Sequence, residues 1–170
     1  IVRINMWYRA FSINRIMFTG GNMKEDKKKY NVLLVDSDAC SARLIEAMLL
    51  SDEERNYDIK IFSNSPAALK EAKTSIPDFL ILDINMPIMN GFEICQNLKS
   101  GHETKDILIM LMTAYNSSFA QYDGLVTYRA DCYIAKPFSR ETLVRNIENL
   151  LMIKEGRLPF NRNNLISNFI

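Results

Sequence analysis

The chain has 170 residues, 48% of them hydrophobic, and a formal net charge of +1, which is enough for one full core and gives no electrostatic footprint for nucleic acid or a strongly acidic partner. Cys40, Cys95 and Cys132 are odd in number, far apart and without CxxC spacing, and His102 is the only histidine. That argues against a disulfide framework, a zinc site or a His-based metal cluster, fits a reducing cytosol, and goes with the lack of any apolar run near the ~20 residues of a membrane span.

Residues 1–22 stand apart. They carry Arg3, Arg9 and Arg15, no Asp or Glu, and scattered aromatics. Such a leader reads as an organellar transit peptide, as an unfolded extension, or as untranslated sequence ahead of a start at Met23. Gly20-Gly21 and the charged run Lys24–Lys29 close this basic extension, residues 1–28, which is expected to be disordered.

A regular pattern begins at Tyr30. The run NVLLV, Asn31–Val35, reads as a strand ending in Asp36-Ser37-Asp38. A helix follows with Leu44, Ile45, Met48 and Leu49 on one face. Tyr57–Phe62 is the second strand. Ser65-Pro66 marks a helix start, with Ser65 as N-cap and Pro66 in the first turn, running to about Ser75. Phe79–Leu82 is an uninterrupted apolar strand, suited to burial on both faces of a parallel sheet, and it ends in Asp83. After the loop Ile84–Asn90 comes a helix, Gly91 to about Ser100, with Phe92, Cys95 and Leu98 inward. Ile107–Met112 is the fourth strand and ends in Thr113-Ala114. A fourth helix is predicted over 116–126. Asp131–Ala135 is the fifth strand, ending in Lys136-Pro137-Phe138, and Ser139 caps a last helix with Leu143, Ile147, Leu150 and Leu151 on its apolar face. Residues 154–170 are polar and read as a tail or linker.

Five strands alternating with five helices at crossover length predict an α/β domain over residues 29–153, a parallel sheet covered on both faces. All the polar strand ends then lie on the carboxyl edge of the sheet, where open α/β sheets bind ligands. Each has an ordinary structural reading by itself: Asp38 as a helix cap, Asp83 as a loop residue, Thr113 as a strand-end hydroxyl, Lys136 as a solvated lysine. Their joint occurrence, each directly after an apolar strand, points to a site. Clustered carboxylates call for a cation, and hard oxygen ligands suit Mg²⁺. Such an ion, with an ammonium and a hydroxyl, is what a phosphoryl group needs as it moves onto a carboxylate, with Asp83 as the nucleophile.

The segments VLLVDSD, FLILDINMPIMNGFE, MLMTA and YIAKPF, spread over residues 32–138, resemble the receiver domains of two-component response regulators, in the family's order and approximate spacing. The resemblance implies a flavodoxin-like (βα)₅ doubly wound sheet with strand order 2-1-3-4-5. It implies that Asp83 is the phosphoacceptor, that Asp36 is the first acid of the metal pocket, and that the Asn85 backbone carbonyl binds Mg²⁺. Thr113 then corresponds to the hydroxyl that moves to the phosphoryl oxygen, Lys136 to the phosphate-pairing lysine before a cis proline, and Tyr133 to the aromatic that turns inward with the Thr. Ala114 leaves access to the phosphate, and Tyr115 reads either as a shield over it or as an exposed aromatic. The implied partners are a histidine kinase or phosphotransfer protein as donor, and a downstream protein or fused output domain. Signalling would pass through the helix 4–strand 5–helix 5 surface, which also offers a homodimer contact. The implied location is cytoplasmic; neither nucleic acid nor membrane is an expected direct partner. A receiver is not expected to act as an enzyme beyond assisting its own phosphorylation and dephosphorylation.

Two departures stand out. Ser37 occupies a position where the family normally has a second acid, which predicts weak Mg²⁺ binding and keeps open a pseudo-receiver that binds proteins without being switched. Arg129 stands where a glycine is common, in a segment about one residue longer, which predicts a reshaped loop before strand five. A flavodoxin-like enzyme or nucleotide binder would need a Gly-rich loop after strand one, and DSDACSA has no glycine. The chain also reads as a stand-alone receiver or as part of a longer regulator or hybrid kinase.

Overall fold

The computed structural model describes residues 27–114 and 123–157. Its elements are β1 (Lys29–Val35), α1 (Ala39–Leu50), β2 (Asn56–Phe62), α2 (Ser65–Ser75), β3 (Phe79–Asp83), α3 (Gly91–Ser100), β4 (Leu108–Thr113), a π turn (Asp123–Thr127), β5 (Cys132–Ala135) and the last helix, α4 (Arg140–Lys154). All strand pairs are parallel, in the order β2-β1-β3-β4-β5. This is the expected flavodoxin-like sheet. Most of the helix predicted over 116–126 lies outside the described residues, as does Tyr115.

Every residue of β3 and β4 is buried, because these central strands are covered on both faces and so cannot alternate with polar residues. Successive side chains feed opposite layers. Leu34, Ile81 and Met110 pack with Ile45 and Leu49 of α1 and Ile147 of α4. Leu33, Leu80 and Leu111 pack with Ala72 of α2 and Ile94 and Leu98 of α3. Each such buried aliphatic contributes about 1.5–3 kcal/mol relative to exposure.

Three expectations are corrected. Leu44 is 58% exposed. The buried stripe of α1 is Ala42, Ile45 and Leu49, and Leu44 sits about 100° round the helix from Ile45. In α3 the inward positions are Gly91, Ile94, Cys95 and Leu98. Phe92 is only half-buried and stacks on Tyr128, with ring centroids 4.6 Å apart. The N-cap of α2 is Asn64, whose side chain accepts from the Ala67 N–H at 2.9 Å, and not Ser65.

The start of β5 is pinned by a largely buried ion pair. Lys99 of α3 donates to Asp131 and to the Ile107 carbonyl, and Asp131 also accepts from the Ile109 N–H at 2.8 Å. The loop before it holds the Arg129 departure. Arg129 has φ 59°, and the next N–H, from Ala130, reaches the Gly124 carbonyl at 2.9 Å. Left-handed backbone costs a side-chain-bearing residue about 1–2 kcal/mol, so the arginine sits in a conformation that glycine adopts freely. Arg129 is exposed, so its side chain contributes little packing in return.

Burial pushes the Cys95 and Cys132 thiols up to about 12, whereas Cys40 is exposed. A thiol reagent at neutral pH is therefore expected to modify one cysteine of the native protein quickly, Cys40, and all three only after denaturation; rapid native modification of more than one would contradict this packing. Arg129→Gly is expected to stabilise the fold by about 0.5–1 kcal/mol after the entropic cost of glycine, a rise of a few degrees in Tm. A lower Tm in a thermal melt would refute the strain at this position.

Candidate functional site

β1 and β3 are neighbours, with Val35 paired to Leu82, so the residues that follow them emerge side by side. Asp36 continues off β1, held by its N–H to the Phe62 carbonyl at 3.1 Å. Asp83 ends β3 in register with Met112, and the Ile84 N–H reaches the Met112 carbonyl at 2.8 Å. Thr113 pairs with Ala135, and the Lys136 N–H reaches the Thr113 carbonyl at 2.7 Å. The ladder thus brings Asp36, Asp83, Thr113 and Lys136 to one edge, as their places after apolar strands predict.

The centre of the site is the Lys136 ammonium. Its Nζ donates to Asp36 Oδ2 and to Asp83 Oδ2, each at 2.7 Å. Burial draws the Lys136 pKa down, but hydrogen bonds and charge attraction from both carboxylates outweigh it, and the net shift is upward. The carboxylates accept further bonds, so that each of their four oxygens has at least one. Asp36 accepts from the Asp38 N–H at 2.9 Å and from Ser41 Oγ at 2.7 Å. Asp83 accepts from the Asn85 N–H at 2.9 Å. The Lys136–Pro137 peptide is cis.

Asp38 does not join this cluster: its carboxylate caps α1 through the Cys40 N–H at 2.9 Å. Ser37 is exposed, and its Oγ donates to the Asn85 carbonyl at 3.4 Å, a long contact. Thr113 is buried, and so is the ring of Tyr133 on the neighbouring strand β5. The Tyr133 phenol is raised by burial, partly opposed by the Thr113 side chain. Ala114 is exposed. Gly91 is required by a close approach: a Cβ there would lie 2.5 Å from the Asp83 carbonyl oxygen. An Asn90–Glu93 capping box starts α3 directly behind the loop.

Ser41 is a member of the site that strand-end reasoning passes over. It lies five residues after Asp36, in the first turn of α1, where serine is common for helical reasons alone, and only the fold brings its hydroxyl back to the carboxylate. No group of three or more His, Cys, Asp or Glu is placed to hold a metal among the described residues. Two carboxylates and a carbonyl nevertheless fit Mg²⁺, which uses one or two carboxylates and keeps several waters.

The sequence matches the response regulator receiver domain family over residues 32–148. The chain is 34% identical over 120 residues to the response regulator ArlR of Staphylococcus saprophyticus, covering 71% of this chain and 51% of that protein. It is 32% identical over 126 residues to histidine kinase P4 of Formosa agariphila, covering 74% of this chain and 9% of the kinase. Among solved structures, chemotaxis protein CheY4 of Vibrio cholerae superposes with a TM-score of 0.65 at 25% identity, over 72% of this chain and 99% of that one. The chain therefore belongs to the response regulator receiver family of two-component signalling. It spans about half of ArlR and a small part of the kinase. No helix of the described residues is long and apolar enough to cross a membrane.

Proposed function

We propose that this chain is a phosphoacceptor receiver module, cytoplasmic, in which Asp83 takes a phosphoryl group from a phosphohistidine of a histidine kinase or phosphotransfer protein. The observation that carries the reading is the Lys136 ammonium shared between Asp36 and Asp83 at 2.7 Å from each. An Asp83 oxygen attacks phosphorus; the new P–O bond forms as the P–N bond to the donor imidazole breaks, and the imidazole leaves with the electron pair and takes up a proton. Lys136 is held where it can pass from the Asp83 carboxylate to an oxygen of the arriving group, giving a charge-assisted bond. The Thr113 hydroxyl, at the end of β4, supplies a neutral donor, and Tyr133 on the neighbouring strand β5 follows Thr113.

Asp36, Asp83 and the Asn85 carbonyl would hold Mg²⁺, with Ser37 a weak fourth donor. When bound, the ion offsets charge on the phosphoryl oxygens. The output is a change of surface around β5, the segment before it and α4, read by a downstream protein, by an attached output domain, or by a second copy of the chain. Moving such a switch from mostly off to mostly on takes about 5.5 kcal/mol of differential stabilisation, which the contacts of Thr113 and Lys136 to phosphate would supply.

One observation favours a second reading, a pseudo-receiver. With Ser37 neutral and Asp38 committed to capping α1, the pocket has two carboxylates where the family usually has three acids.

Labelling decides between them. Incubated with a small acyl phosphate and Mg²⁺, the protein is expected to form an acid-stable, base-labile adduct on Asp83, and Asp83→Asn to form none; an unlabelled wild type would support the pseudo-receiver, and labelled Asp83→Asn would refute the assignment. Ser37→Asp is expected to tighten Mg²⁺ binding on the order of tenfold, about 1.4 kcal/mol, while lowering Tm in chelator because a third carboxylate then faces one ammonium. Calorimetric titration giving equal affinities for the two proteins would contradict this view of the pocket.

A further inference from the structure

The loop Ile84–Asn90 carries the Asn85 carbonyl and is built from two three-residue turns in succession. In the first, centred on Asn85, the Met86 N–H reaches the Ile84 carbonyl at 3.0 Å. In the second, centred on Ile88, the Met89 N–H reaches the Pro87 carbonyl at 2.9 Å, and Ile88 has φ 73°. A three-residue turn of this hand is rare and strained, and a β-branched residue is among the worst suited to it. Ile88 does not offset that strain by packing, for it is 81% exposed. Something else must hold the turn.

That role falls to a side chain outside the loop. Ser65, the first residue of α2, is completely buried. Because Asn64 takes the capping task, the Ser65 hydroxyl is not spent on its own helix. It donates to the Pro87 carbonyl at 2.6 Å and accepts from the Met89 N–H at 3.3 Å. These are the two peptide groups that flank Ile88. One hydroxyl therefore closes both ends of the strained turn.

We infer that Ser65 is a positioning residue for the metal pocket: by clamping the turn at Ile88 it fixes the loop that presents the Asn85 carbonyl. The coupling is short and stiff. Only Met86 separates Asn85 from Pro87, whose ring fixes its own φ, and Met86 is itself buried against the core. Without the clamp, Ile88 relaxes toward negative φ, and the peptide planes on both sides rotate. The near end of the loop remains tied by the Asn85 N–H to Asp83 and the Gly91 N–H to the Ile84 carbonyl. The rotation is then taken up around Asn85 and Met86, where the carbonyl would bind the ion. This role rests on the Mg²⁺ pocket proposed above.

The test compares wild type, Ser65→Ala, Ser65→Ala/Ile88→Gly and, as a pocket control, Asp36→Asn. Mg²⁺ affinity is read by calorimetry, and amide hydrogen exchange at Met89 and in β3 is read in chelator. Ser65→Ala is expected to weaken Mg²⁺ binding roughly five- to tenfold, from the loss of two hydrogen bonds. Exchange at Met89 should speed up while β3 stays protected. Ile88→Gly added to it should recover most of the affinity, because glycine holds the turn without a clamp. Ser65→Cys, similar in shape but a weak hydrogen-bonder, should fall between, and gives the same reading if the alanine variant folds poorly. Faster exchange at Met89 with unchanged Mg²⁺ affinity would make Ser65 a purely structural residue and overturn the inference. A wild type that binds no Mg²⁺, or an Asp36→Asn variant that binds it equally well, would instead remove the pocket reading and this role with it.

Discussion

Two carboxylates held side by side on one sheet edge repel each other, and the fold tolerates them because one ammonium lies between them. Lys136 makes this possible from a distance. β5 is not a neighbour of β3, since β4 intervenes, so only a long side chain leaving the end of β5 can reach both Asp83 and Asp36. A lysine suits the task better than an arginine: its charge is compact, and its three donors can be divided between oxygens of different residues. Burying such a trio costs desolvation, which is recovered only if the geometry is good and the remaining lone pairs are satisfied. Here each of the four carboxylate oxygens accepts at least one hydrogen bond, from Lys136 itself, the N–H groups of Asp38 and Asn85 or the hydroxyl of Ser41. Hence the register of four strands, the start of β5 at Asp131 and the first turn of α1 all bear on where one nitrogen sits.

The loops that frame this edge depart from relaxed backbone. Ile88 and Arg129 both have φ between 59° and 73°, and neither is of a type that adopts this region readily. Strain of this kind persists only where the surroundings over-determine it. Around Ile88 the surroundings are the Ser65 hydroxyl and the short turn itself. Around Arg129 they are the Ala130 bond to Gly124, the Lys99–Asp131 pair and the Phe92–Tyr128 stack. Both loops are thus held by contacts from helices on the same face of the sheet, α2 and α3, so the packing of that layer and the shape of the polar edge are not independent.

Much of this was legible in the chain itself. β3 and β4 are apolar runs ending in a polar residue, the pattern that suits a strand buried on both faces; with the strands placed, the convergence of Asp36, Asp83, Thr113 and Lys136 follows from parallel topology. The sheet order came only from the resemblance, because β-α-β spacing alone does not say which strands are neighbours. What could not be read depends on angles and long-range partners. Leu44 fits an apolar stripe if helical phase is judged by composition, and loses its place when Ala42 supplies the contact. Ser65 before Pro66 has the features of a cap, yet Asn64 one residue earlier caps better, and no local signal links Ser65 to a loop more than twenty residues on. The Arg129 departure was visible, but not that the arginine keeps a glycine-like conformation there.

The serine at position 37 changes the electrostatics of the edge in a way that the geometry makes specific. With Asp38 committed to α1, the described cluster has two carboxylates against one ammonium. A third carboxylate would raise the repulsion that a cation relieves, and so would tie occupancy of the metal pocket more strongly to the state of Asp83. Ser37 removes that tension and adds a competitor, because its hydroxyl donates to the Asn85 carbonyl, the group proposed to bind the ion. At 3.4 Å the bond is weak, so it delays the carbonyl little. Its direction still matters: it favours the metal-free arrangement, whereas an aspartate could only favour the metal-bound one. In the proposed Mg²⁺ pocket, Ser37 would therefore act on both ends of the binding equilibrium, favouring the empty pocket and supplying no carboxylate to the filled one, while Asp83 and Asp36 keep the hydrogen bonds they share with Lys136.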